Sequence, residues 1–119
     1  MDASAEADFK TSQDNIGAGN YYASVFFCQQ AVEKALKALI IELEREVPQT
    51  HNLKALGEKA KVPKNFLSAL RDLSPEYYIT RYPDATESIP ADMYDEGIAK
   101  STLDNSKRIL EWIKQQIKE

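Results

Sequence analysis

One histidine and one cysteine in 119 residues narrow the chemistry open to this chain. A zinc site takes three or four His and Cys ligands, and His51 and Cys28 fall on different elements, so no metal site is expected. Cys28 stands inside an apolar helical row and reads as a core thiol. No phosphate-binding glycine loop, dinucleotide turn or nucleophile elbow is present, and no cofactor is implied. What remains is the chemistry of scattered polar side chains. His51 follows Arg45 with five residues between, and a base near neutrality beside a cation is what metal-free cleavage through a 2′-hydroxyl uses. The spacing straddles Pro48, and the plainer role for His51 is to orient the loop before a short helix. Gln29 and Glu33 interrupt an apolar face, one turn apart, where unpaired burial is costly. They either reach water at the stripe edge or belong to a polar network or ligand cleft. Lys34 and Lys37 follow, and Glu33 to Lys37 is the favourable order for a surface ion pair. In Arg81-Tyr82-Pro83-Asp84 the guanidinium could meet a phosphate, Asp84 or Glu33, and Tyr82 could stack on a base. An arginine bracing a proline turn would have the same sequence.

The elements that must position these groups are all helical. Strand signals are absent, and only four glycines punctuate the chain. A first helix is expected from about Ala3 to Ile16, stopped at Gly17-Ala18-Gly19, with Asn20 as N-cap of the next. From Tyr21 to about Glu46, one row of Tyr22, Phe26, Leu36, Ile40 and Leu43 adjoins another of Val25, Cys28, Val32, Ala35 and Leu39. So wide a stripe makes this the central helix. Pro48 is expected to end it, Thr50 or Asn52 to cap a short helix through Ala60, and Pro63 to open another with Phe66, Leu67, Leu70 and Leu73 inward. Ser74-Pro75 restarts a turn through Tyr77, Tyr78 and Ile79, and residues 81–90 read as a crossing loop. A last helix from about Ala91 to Lys118 carries the seam Ala99, Leu103, Ser106, Leu110, Ile113 and Ile117, and is expected to lie antiparallel along the second. The fold class is therefore all-α: a single domain over residues 1–119, an antiparallel up-and-down bundle of four to five helices.

Composition adds limits. The net charge of −4 argues against a general nucleic-acid coat. The charge is uneven, however: residues 52–82 hold 6 basic and 3 acidic side chains, whereas both flanking stretches are acidic. A phosphate-bearing ligand would meet the centre, unless those lysines only solvate short helices. A lone cysteine and the want of a basic-then-apolar leader point to a reducing cytoplasm, and no stretch is apolar enough to span a bilayer. Phe27 and Ile41, apolar and off the main stripe, are the kind of residues that mark a seam between protomers.

Three blocks, read together, resemble the HEPN domain family: Phe27-Cys28-Gln29-Gln30-Ala31-Val32-Glu33-Lys34-Ala35-Leu36-Lys37-Ala38-Leu39, then His51-Asn52-Leu53 with Leu56, then Tyr78-Ile79-Thr80-Arg81-Tyr82-Pro83-Asp84. With Gly19-Asn20-Tyr21-Tyr22-Ala23 ahead and the amphipathic helix behind, the likeness covers nearly the whole chain. It implies a helical bundle, commonly a homodimer, that binds nucleotide or RNA and is partnered in a toxin–antitoxin type pair by a minimal nucleotidyltransferase. Lys34, Lys37, His51, Arg81 and Tyr82 are then the candidate ligand contacts, with Gln29, Glu33 and Asp84 orienting them. Some members are metal-independent ribonuclease toxins that place an Arg and a His, with four to six residues between them, late in the bundle. Arg45 and His51 match that spacing at an earlier place, and His51 is followed by Asn52-Leu53 where some toxins have His-x-Tyr. The remaining alternative is a non-catalytic helical module for dimerisation and partner binding.

Overall fold

The computed structural model describes residues 3–74 and 94–117, all of whose regular structure is helical. Arg81, Tyr82, Asp84, the turn after Ser74 and the crossing loop lie outside these described residues. Five helices are described: α1 (Ala3–Gly17), α2 (Tyr21–Glu44), α3 (Leu53–Lys59), α4 (Lys64–Leu73) and α5 (Glu96–Ile117).

Helix α1 runs against α2 in the opposite direction: Ser12 meets Ser24 and Cys28 at one end, and Ser4 and Asp8 meet Lys34 at the other. The reversal between them turns on Gly19, whose φ of 80° suits a residue without a Cβ. Asn20 stands at the N-cap position of α2 but makes no side-chain cap; its amide donates to Asn15 Oδ1 at 3.4 Å.

Helix α5 packs on α2 in the same direction. Val25, near the start of α2, clusters with Tyr94 and Ala99 at the start of α5, and Ser106 comes next to Cys28. The expected antiparallel pairing of these two helices is thus corrected. Equal length and matching seams carry no direction; that is set by what the chain does between the two helices.

The core gathers around α2, where Cys28, Val32, Leu36, Leu39 and Ile40 are buried together with Leu53 and Leu56 of α3, Leu70 of α4, and Ile109 and Ile113 of α5. One expected row divides: Leu36 and Ile40 are buried, but Tyr22, Phe26 and Leu43 are exposed. Gly57 allows α3 and α4 to close together, since a Cβ there would collide with Leu70 and stand 3.2 Å from Val62 Cγ2.

Candidate functional site

Helix α2 stops two residues before the expected Glu46. Arg45 takes the left-handed conformation (φ 60°, ψ 27°) and its N–H caps Ile41 O. The cap turns the chain sharply, so the connection doubles back along α2 with Pro48 buried in it. It ends in two local bonds that fix its exit. Thr50 Oγ1 accepts from the Asn52 N–H at 3.0 Å, and Asn52 Oδ1 accepts from the Ala55 N–H at 2.9 Å as the N-cap of α3.

Between those anchors stands His51, and the doubling back brings it to Glu33. Its Nδ1 lies 2.6 Å from Glu33 Oε2, and Lys37 Nζ donates to the same oxygen at 2.9 Å. The Glu33 side chain is only 14% exposed whereas that of His51 is 77% exposed, so a sheltered carboxylate holds an outward-facing imidazole. A carboxylate oxygen accepts, so Nδ1 is the donor in this pair and Nε2 is the ring nitrogen left facing whatever approaches from solvent. Lys37, with three donor hydrogens, keeps two beyond the one given to Glu33. Gln29 is buried one turn earlier on α2. The arrangement can therefore offer an oriented imidazole and a lysine ammonium side by side on a half-exposed helix face.

The candidate residues do not all converge. Glu33, Lys37 and His51 meet, as above. Lys34 turns away to α1, where Asp8 Oδ2 (2.7 Å) and Ser4 Oγ (2.8 Å) hold it. Arg45 is exposed at the end of α2, and 12 residues of helix, about 18 Å, separate its Cα from that of Glu33. The described chain thus brings His51 to a carboxylate and leaves Arg45 at the far end of the connection. Sequence reasoning missed the Glu33–His51 pair and both partners of Lys34. The i, i+4 relation did give Lys37–Glu33, an expected ion pair that the structure forms; the others depend on which way the chain turns. Among the described residues no cluster of His, Cys, Asp and Glu could hold a metal ion, and no helix is long and apolar enough to cross a membrane.

A second polar group lies inside the bundle. Ser12 Oγ is 3.2 Å from Ser24 Oγ and 2.9 Å from Cys28 Sγ, all fully buried. The Ser106 hydroxyl stands near the sulfur without the alignment of a full hydrogen bond. Burial pushes the Cys28 thiol pKa up, against the smaller opposing effects of Ser12 and Ser106. A thiol so placed stays protonated and has no nucleophilic part to play.

These features can be set beside known proteins. No curated protein matches the chain. Two solved structures are similar over nearly its whole length. One is TT1696 from Thermus thermophilus, 31% identical, covering 96% of this chain and 93% of that one with a TM-score of 0.79. The other is ST0689, an archaeal HEPN homologue, also 31% identical with a TM-score of 0.79, covering 97% and 93%. The HEPN domain model itself matches residues 3–116, spanning α1 through nearly all of α5. With the family pattern matched over nearly the whole chain and two similar structures at 31% identity over the same length, the chain belongs to the HEPN domain family.

Proposed function

We propose that this chain is a cytoplasmic nucleotide- or RNA-binding HEPN module, dimeric, and partnered by a minimal nucleotidyltransferase in a toxin–antitoxin type pair. The observation that supports it most is the convergence of His51 and Lys37 on one oxygen of Glu33. A phosphate oxygen approaching that face gains the lysine cation, while the imidazole is held in a fixed orientation by the carboxylate behind it. Arg81 and Tyr82 complete the contacts in this reading, one on phosphate and one on a base, with Asp84 orienting. Lys34 serves indirectly by tying α2 to α1.

Titration of the purified protein with fluorescent single-stranded RNA and with nucleotides at low salt is the test. Saturable binding that weakens as salt rises is expected, and Lys37→Ala should weaken it several-fold. Binding indistinguishable from that of an inert acidic protein would overturn the reading.

The Nδ1 anchor favours one second reading, a metal-independent ribonuclease. His51 Nε2 would take the 2′-hydroxyl proton as general base, and Arg45 would come from the second protomer across a dimer cleft. Product gels with wild type and His51→Ala decide it: cleavage that survives the substitution unchanged removes His51 from the chemistry.

A further inference from the structure

A cavity of about 350 Å³ lies where α1 turns into α2, lined by Gly19, Asn20, Tyr21, Tyr22, Ala23 and Tyr94. Three of its six lining residues are tyrosines. Tyr94, from the approach to α5, is 7% exposed and meets Tyr22 in a T-shaped contact with ring centroids 5.2 Å apart and planes at 83°. Such a contact covers at most one face of the Tyr22 ring. Tyr22 is 41% exposed and lines the cavity, so ring surface there remains uncovered. Tyr21, half-buried, packs with Val25, Tyr94 and Ala99, which fixes the floor. One turn further along the same face of α2, Phe26 is 43% exposed and is itself steadied edge-on by Phe27.

We propose that this cavity takes a nucleobase, stacked on the open face of Tyr22. The size is at the small end of ligand sites and accommodates a planar ring system. The walls supply aromatic faces, which any base can stack on, in place of a charged cage that would select a small ion. Tyr22 is braced by Tyr94 before any ligand arrives, so little side-chain freedom is lost on stacking. Phe26, four residues on and on the same side, offers a second ring for a neighbouring base of the same strand. The base comes either from a free nucleotide or from single-stranded RNA. The inference rests on the nucleotide- or RNA-binding reading for its ligand class, but it concerns a different place from Glu33, Lys37 and His51, eleven residues or about 16 Å up the helix from Glu33.

Two probes separate the sources: 2-aminopurine nucleoside monophosphate, and a short single-stranded RNA carrying one 2-aminopurine. Stacking quenches the fluorescence of either. With wild type, quenching is expected, with Tyr22→Phe close to wild type and Tyr22→Leu, which keeps apolar bulk but no ring, weaker by about tenfold. Far-UV circular dichroism checks that each variant folds. If the RNA binds by anisotropy but Tyr22→Leu binds and quenches as wild type does, the cavity assignment falls and the RNA-binding reading stands. If only the monophosphate is quenched, in a Tyr22-dependent way, the cavity is a nucleotide site and the RNA reading falls. If neither probe is bound by wild type, both fall.

Discussion

Five residues apart on α2, Cys28 and Glu33 anchor two polar groups with opposite fates. Around Cys28, the hydroxyls of Ser12 and Ser24 are sealed at zero exposure between α1 and α2. Around Glu33, a lysine and a histidine reach a carboxylate from the solvent side. The difference is one of covering element, because a full helix, α1, lies along one face of α2 while only an irregular connection crosses the other. Neutral, short side chains tolerate the sealed face because they can satisfy one another; charges survive on the second because water remains within reach. Polarity on a helix therefore signals function only once its covering is known.

The two faces should respond differently to truncation. Leu36→Ala, in the fully buried seam between them, should cost about 3 kcal/mol in urea unfolding. Ser12→Ala should come next, about 1 to 2 kcal/mol, because it leaves buried Ser24 and Cys28 with one partner fewer. Asn52→Ala removes the α3 cap and should cost about 1 kcal/mol. It should also loosen His51, which stands next to it, and so weaken RNA binding where Ser12→Ala leaves binding intact. Equal effects of these two variants on binding would erase the distinction between the faces.

How much of this is legible in the sequence follows from what periodicity can carry. The helices, their lengths to within a few residues, one of the two inward rows of α2 and much of the inward faces of α4 and α5 follow from spacing, whereas Tyr22, Phe26 and Leu43 share the same period and are exposed. The sealed layer was also within reach: Ala5, Phe9, Ser12 and Ile16 recur at four, three and four along α1, a stripe that its acidic composition conceals. Direction was not legible. The parallel course of α2 and α5, and the return of His51 to Glu33, both depend on turns. The second hinges on Arg45 adopting a left-handed cap where glycine would ordinarily be sought. Nothing in the residue type of Arg45 announces that conformation, and a connection of eight residues can leave a helix end in any direction.

The smallest expected effect is a pH dependence at the sealed face. Burial raises the Cys28 pKa, so the folded state favours the neutral thiol more than the unfolded chain does. The unfolded thiol titrates near its ordinary value of about 8.5. Below that pH both states hold the proton and the contribution to stability is complete; as pH rises toward the higher folded value, the unfolded state alone ionises and stability falls. Unfolding midpoints measured from about pH 7.5 to 10 should thus decline more steeply for wild type than for Cys28→Ala, whose other titrating groups are the same. Alkylation of Cys28 should correspondingly be slow in buffer at about pH 8 and fast in denaturing urea. Glu33→Gln, on the other face, should leave the alkaline slope untouched while weakening RNA binding, because it removes the acceptor that orients His51 without entering the buried layer. A Cys28→Ala slope identical to wild type would mean that water reaches the sulfur, and the two faces would then differ only in degree.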